Sequence, residues 1–507
     1  MKIVEILTYF IIFFIIFLPI IYLFFSVFLS KIVLNQMKEF FTQFPKRIGP
    51  IFIRSIIIGI LTSIVSTMIG TSLSILFECT NLSRKRILFF LLFLPFLIPA
   101  FITTFSWIVL EHRALKLIPF NINSEAGVIF FLSLSFFPIP LLITSLGIRS
   151  LDSSYVEAGI ILNKRKIKII QKIILPLIKP HIIISMFLVF FLTLSEYTVP
   201  AFLMVNTYQN EIFMQFAAFY SFEGAVVYSI PLLIQSLILT LLICLYLKNK
   251  SFTAITSFKK EWKYFIELGK WKIVVFAFIF LILLFSIFIP FFILLKESEL
   301  KILQALSQSS KSIIYSLEIT TISSILLSIL GFLSSYSFKN SKMIIPILSF
   351  PIALSSPIIG TALISMYSNL PLPIYGTHVI LIMGYLMKFI PFSLFIFSSF
   401  MTQISSSIEE AGIIFTRSQT KIIGKILIPL LKQAFFSTFV IMFIFIFGEI
   451  GITQLLSPPG FQTLPQRIEV IMHYGDYETV ASLSLILYSL IFLFSIIYVK
   501  MFKVHEY

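Results

Sequence analysis

The sequence predicts an all-α integral membrane protein of about twelve transmembrane helices, arranged as two parallel six-helix repeats. Three observations predict it. Of the 507 residues, 58% are hydrophobic and only 12% charged, whereas soluble domains carry roughly 25% charged residues. The apolar residues come in continuous runs of spanning length, not in alternation, which excludes a β-barrel. A segment of the first half also returns 253 residues later. No soluble fold of this length hides so much apolar surface, so the lipid bilayer is part of its solvent.

The runs fall at 7–29, 55–77, 87–110, 126–148, 181–205, 226–247, 272–295, 312–337, 343–366, 378–400, 434–456 and 479–499. The first is 23 residues long and lacks a small-x-small cleavage site, so it reads as a retained helix and not a signal peptide. With the N-terminus inside, 26 Lys and Arg fall on inward segments and 11 on outward loops. That asymmetry predicts both termini in the cytoplasm. The same loops account for the net charge of +16, so nucleic acid is not an expected partner.

The chain divides into a first half at 1–247, a cytoplasmic linker at 248–271 and a second half at 272–507. In the linker region Phe258, Trp262, Tyr264 and Phe265 alternate with lysines. Two readings are open there, an interfacial amphipathic helix or a snorkelling linker. Cys79 and Cys244 lack the spacing of a metal site and predict no disulfide. The five histidines are scattered, and no phosphate loop or nucleophile elbow occurs. No cofactor, metal centre or catalytic residue is expected.

The repeat is explicit. Segment 157–176 reads EAGIILNKRKIKIIQKIILP, and segment 410–429 reads EAGIIFTRSQTKIIGKILIP. The same offset of 253 carries Glu196 onto Glu449, Tyr208 onto Phe461 and Gln209 onto Gln462. Six spans per half is an even number, so both halves insert in the same sense. Inverted repeats need an odd number. Both copies of the segment therefore face the cytoplasm, and the expected pathway lies between the halves.

The pattern Glu-Ala-small, a mixed-charge stretch and then Leu/Ile-Pro resembles the EAA docking loop of ABC importer permeases of the type I architecture. Its residues here are Glu157, Ala158, Gly159, Leu175 and Pro176 in loop 149–180, and Glu410, Ala411, Gly412, Ile428 and Pro429 in loop 401–433. Asn163 and Thr416 stand where that family has glycine. The resemblance implies that each loop seats a short helix in a groove of an ATPase subunit. The small residues allow close approach, the glutamate lies at the helix start, and the proline opens the next span.

Further along, GEIGITQLLSPPGFQTL from Gly448, SEYTVPAFL from Ser195, the Gly376-Thr377 pair and YLMKF from Tyr385 resemble the fused iron(III)-type permeases. The resemblance implies a multi-pass permease of the bacterial inner membrane. Its partners would be a cytoplasmic ABC ATPase dimer and an external or periplasmic solute-binding protein, with no ATP site on this chain. Two alternatives stay open: the same architecture importing thiamine or another small solute, and a secondary transporter with six-plus-six repeats. The latter accounts for the duplication but not for two matching loops.

Charged groups inside spans face the bundle or a watery path. Glu196 and Glu449 fall at matching depths. They either line the pathway, with Tyr197 adding an oxygen, and meet a hard cation such as Fe³⁺, or they hydrogen-bond to neighbouring helices. Lys388, midway along its span, pairs by charge economy with Glu449 or Glu196, or else snorkels.

Overall fold

The computed structural model describes residues 2–29, 31–112, 121–161, 165–248, 265–299, 301–338, 350–371, 373–404, 408 and 419–501. Among them, eight helices are long and apolar enough to cross a membrane, and the number reaches eleven when each of three bent pairs is taken as one span. These match eleven of the twelve expected runs. The remaining run, 343–366, lies partly outside the described residues, and Ser356–Ser368 is its described helix.

Four runs read as single spans are interrupted, among them run 126–148, bent by 44° between Glu125–Phe136 and Pro138–Arg149. Run 87–110 is two helices, Lys85–Leu97 and Ala100–His112, bent by 86°. The cause is Pro99, whose ring forces the preceding Ile98 into extended backbone at φ −81°, ψ 128°. Run 181–205 stops at Ser195, and run 434–456 stops at Phe447, each followed by a short second helix. Run 55–77, by contrast, is only part of an unbroken 48-residue helical stretch, Ile32–Cys79. At about 1.5 Å per residue this stretch is more than twice the thickness of the hydrocarbon layer.

Prolines also widen helices without ending them. Five-residue π-turns occur at Phe13–Phe17, Phe44–Ile48, Ile170–Ile174, Leu284–Phe288 and Ile423–Leu427. Each ends two residues before a proline: Pro19, Pro50, Pro176, Pro290 and Pro429. A proline ring clashes with the carbonyl four residues back and offers it no N–H. A turn closed by an i→i−5 bond, such as Leu175 N–H to the Ile170 carbonyl, moves that carbonyl aside.

The chain forms two compact units: 1–48 with 211–244 and 301–507, and 49–210 with 245–300. Neither is a contiguous stretch of sequence. In the second unit, Gly49–Cys79 packs on Pro138–Arg149 and Leu175–Ser195. At Gly70 a Cβ would stand 2.6 Å from the Phe137 carbonyl, so only glycine permits this approach. Trp107 stacks on Phe285 at 5.7 Å, and Ile289 and Ile293 join the same cluster, which holds helix 269–297 in this unit. In the first unit, Ser310–Ser337 packs equivalently on His378–Met401 and Lys432–Phe447. There Gly331 faces Ser393 at 2.9 Å from its virtual Cβ. Tyr9 meets Phe338 edge-on at 4.9 Å, and Leu18–Leu29 lies along Ser356–Ser368.

Linker residues Phe258, Trp262 and Tyr264 lie outside the described residues. From Phe265 the chain is extended, not helical, and Ile266 forms a parallel bridge with Thr80. Ile266 N–H donates to the Cys79 carbonyl at 3.0 Å, and Asn81 N–H donates to the Ile266 carbonyl at 3.1 Å. Cys79 is free and buried, while the side chain of Cys244 lies outside the described residues.

Candidate functional site

The first docking-type loop is a helix, Ser153–Ile161, followed after residue 164 by a helical stretch running from Lys166 to Ser195. Asp152, not Glu157, supplies the anion at the helix start, and its Oδ1 accepts from Ser154 N–H at 3.0 Å. Glu157 is the fifth residue of the helix and accepts from Ser153 Oγ at 3.3 Å.

Val156 and Gly159 face inward, while Glu157, Ala158, Ile160 and Ile161 are exposed. A Cβ on Gly159 would lie 3.0 Å from Ile173 and 3.2 Å from Ile169. The small residue therefore seats the loop helix against its own chain. Pro176 does not open the spanning helix either. It lies within the continuous stretch, preceded by its π-turn.

Glu410, Ala411, Gly412 and Thr416 lie outside the described residues, as does Asn163 of the first copy. The ends of both copies are described and agree. Leu175-Pro176 and Ile428-Pro429 follow π-turns exactly one repeat apart, at 170–174 and 423–427, and Ile169 and Ile422 are buried alike. The second copy then bends by 60° between Leu430 and Lys432, whereas the first runs straight on.

The carboxylates at 196 and 449 do occupy equivalent places, but at helix breaks and not within helices. Glu196 follows Ser195 in extended backbone and caps the short helix Thr198–Phe202. Its Oε1 accepts from Thr198 N–H at 2.8 Å, from Val199 N–H at 3.4 Å and from the Thr198 hydroxyl. Tyr197, next to it, is buried. Glu449 caps Gly451–Leu456, its Oε1 accepting from Ile452 N–H at 3.0 Å. A carboxylate suits these places because the freed N–H groups of a helix start need acceptors.

Lys388 joins Glu449. Its Nζ lies 2.7 Å from Glu449 Oε2 and 2.8 Å from Ser356 Oγ, and Ser356 Oγ donates to Glu449 Oε1 at 3.1 Å. One turn away, the Tyr385 hydroxyl meets Thr453 Oγ1 at 2.5 Å. Ser356 and Thr198 were not singled out from sequence. The available signal was punctuation: Gly448 and Gly451 flank Glu449, and Pro200 follows Glu196 closely.

The PPGFQTL segment turns at Gly460, φ +77°, with Phe461 N–H donating to the Pro458 carbonyl at 3.1 Å. This is a turn in which only glycine sits comfortably at the third position. It sets Phe461 between Tyr315 at 4.8 Å and His378 at 4.5 Å. In the other unit the corresponding Tyr208 meets Phe52 edge-on at 5.1 Å. No group of three His, Cys, Asp or Glu suited to a metal occurs among the described residues.

No family model matches the chain. Among known proteins, it is 24% identical over 465 residues to the Fe(3+)-transport system permease protein FbpB 2 of Haemophilus influenzae, covering 88% of this chain and 89% of that one. It is 24% identical over 340 residues to the ferric transport system permease protein FbpB of Actinobacillus pleuropneumoniae, covering 61% of this chain but only 49% of the relative. A 158-residue stretch is 28% identical to a putative 2-aminoethylphosphonate transport system permease protein PhnV of Salmonella typhimurium, covering 58% of it. The resemblance carried by the two loops and the PPGFQTL segment is thus borne out: this multi-pass membrane chain is a relative of ferric transport permeases, one of them along 88% of its length.

Proposed function

We propose that the chain is the membrane-spanning subunit of a binding-protein-dependent importer whose cargo is iron(III). Hydrolysis of ATP takes place on a separate ATPase pair, and both termini of this chain lie inside. The observation that carries the reading is the joint one: two loops of docking type in register at 253 residues, in a chain similar to an Fe(3+)-transport permease over most of both lengths.

The first loop supplies a mechanical route. An ATPase pressing on the exposed side of Ser153–Ile161 moves Gly159 against Ile169 and Ile173. Those residues belong to the helical stretch that runs unbroken to Ser195, so the displacement reaches the break at Glu196. Glu410, Ala411 and Gly412 play the same part in the second loop, and Ile428 and Pro429 lead to the break that carries Glu449. Both breaks face the translocation path in this reading, as discontinuous helices do at transport sites.

The Salmonella relative favours a second reading, a small organic anion as cargo. Uptake of radioactive iron by cells with and without this gene decides between them. A loss of iron uptake on deletion supports the proposal. An unchanged iron signal, with loss of uptake of a phosphonate or of thiamine, replaces it.

A further inference from the structure

The two equivalent carboxylates have unequal surroundings. Glu449 sits in a closed array with Lys388 and Ser356, in which each of the three side chains touches the other two. The array holds one negative and one positive charge. Side-chain exposure is only 12% for Glu449 and 18% for Lys388, so the pair is poorly screened and strongly held. A cation drawing Glu449 away would leave Lys388 uncompensated in a half-dry site, which is costly.

Glu196 has no such partner among the described residues. Its hydrogen bonds come from two backbone N–H groups and one hydroxyl, all neutral and all on Oε1. The residue one repeat before Lys388 is Ser135, which carries no charge. The duplication has therefore kept the carboxylate at both breaks and its counter-charge at only one. Glu196 Oε2 is left with its charge unmatched, on a side chain that is not fully buried.

We propose that the two breaks have divided roles: Glu449, Lys388 and Ser356 form a charge-neutral brace, and Glu196 is the specificity-determining carboxylate that meets a hard cation in transit. Oxygen donors with free negative charge are what such a cation seeks. The proposal rests on the importer reading for the cation's identity, but the charge division itself does not depend on it.

Two measurements on the full chain test it. In cells, Glu196→Gln is expected to lower iron uptake by about tenfold or more at unchanged membrane level, with Glu196→Asp recovering part of it. Glu449→Gln alone should reduce the amount of assembled protein by exposing an unpaired Lys388, and adding Lys388→Met should restore it. Where the parent imports iron, uptake by Glu196→Gln equal to that of the parent overturns the division, as does a double variant that assembles no better than Glu449→Gln.

The second measurement does not involve iron. In membranes carrying Cys79→Ala and Cys244→Ala, a cationic thiol reagent should modify Glu196→Cys about tenfold faster than Glu449→Cys, because Lys388 repels it from the latter. Equal or reversed rates overturn the proposal. Should the parent protein import no iron while the rate difference holds, the cargo assignment fails and the charge division stands.

Discussion

Glu469 lies on the helix Leu464–His473, outside the spanning segments, with its side chain buried and its Oε2 without a hydrogen-bond partner. Burial alone pushes its carboxyl up from 4.5 to about 7. Because the folded value exceeds the unfolded one, the stability this group contributes is complete below pH 4.5 and is lost as the pH rises through about 7. The melting temperature of the solubilised protein should therefore fall across that window. Glu469→Gln should flatten the fall and raise the melting temperature at pH 8; a parent curve already flat there rules the burial effect out.

Gly159 poses a packing question at the same scale. A valine has no room beside Ile169 and Ile173, whose nearest atoms are 3.0–3.2 Å from a virtual Cβ. On the proposed importer reading, Gly159→Val should lift the loop helix and weaken co-purification with the partner ATPase by about tenfold or more, a loss of roughly 1.4 kcal/mol. Membrane insertion should be normal. Wild-type co-purification would mean that the contact with Ile169 and Ile173 does not set the position of this helix.

At the scale of elements, proline decides most of what hydropathy did not. Pro176 and Pro429 were expected to open spanning helices, since a proline is harmless in a first turn. Instead each sits inside helical backbone behind a π-turn: in the first copy the basic stretch from Lys166 is itself helical and runs unbroken to Ser195, and in the second the helix from Gln419 reaches Leu430 before the 60° bend into its span. Hydropathy has no signal for this: the stretch from Lys166 is polar on one side and buries Ile169, Ile174 and Ile178 on the other. A break at Glu196 escaped for the opposite reason, since the residues around it are as apolar as a continuous span. Pro176→Ala should close the π-turn by restoring the missing N–H. On the proposed importer reading, the expected result is lower uptake with normal ATPase binding, read as reduced transport per ATP hydrolysed. Unchanged transport would show that the widened turn has no part in coupling.

The extended stretch after the linker is the other element that sequence left open. Phe265 and Ile266 pack with Val156, Ile169, Ile174 and Ile178 in the apolar cluster under the first loop. A lysine-rich linker gave no hint of a bridge, which depends on the free carbonyl of Cys79 at the end of its helix. Ile266→Asp places a charge in that cluster, and hydrogen exchange at Asn81 and Ile266 should accelerate together, while exchange at Leu141 stays slow. Acceleration spread evenly over the second unit would mean global destabilisation and not release of the bridge.

At the scale of the whole molecule, the 253-residue repeat of the two loop segments does not delimit the packing. The compact units exchange material: 1–48 belongs with 301–507, and 245–300 with 49–210. Each unit thus takes residues from both halves of the sequence. The reason is visible in single contacts, Tyr9 with Phe338 in one unit and Trp107 with Phe285 in the other. Aromatic pairs within a uniformly apolar sequence carry no address that sequence reading can decode, because every span offers similar partners. The consequence is testable by cutting the chain between residues 248 and 265 and expressing both pieces. Piece 1–256 contains most of the unit built on 49–210 but lacks Phe285, Ile289 and Ile293, which complete its cluster. Piece 257–507 lacks Tyr9 and the segment Leu18–Leu29 that covers Ser356–Ser368. Each alone leaves apolar and polar surfaces of its partner unmatched, so each should be degraded when expressed singly. Together they should accumulate, co-purify and restore uptake, since the cut leaves every described contact in place. Stable accumulation of either piece by itself would mean that a sequence half folds without the exchanged segment, and that the exchange adds contact without being required for assembly.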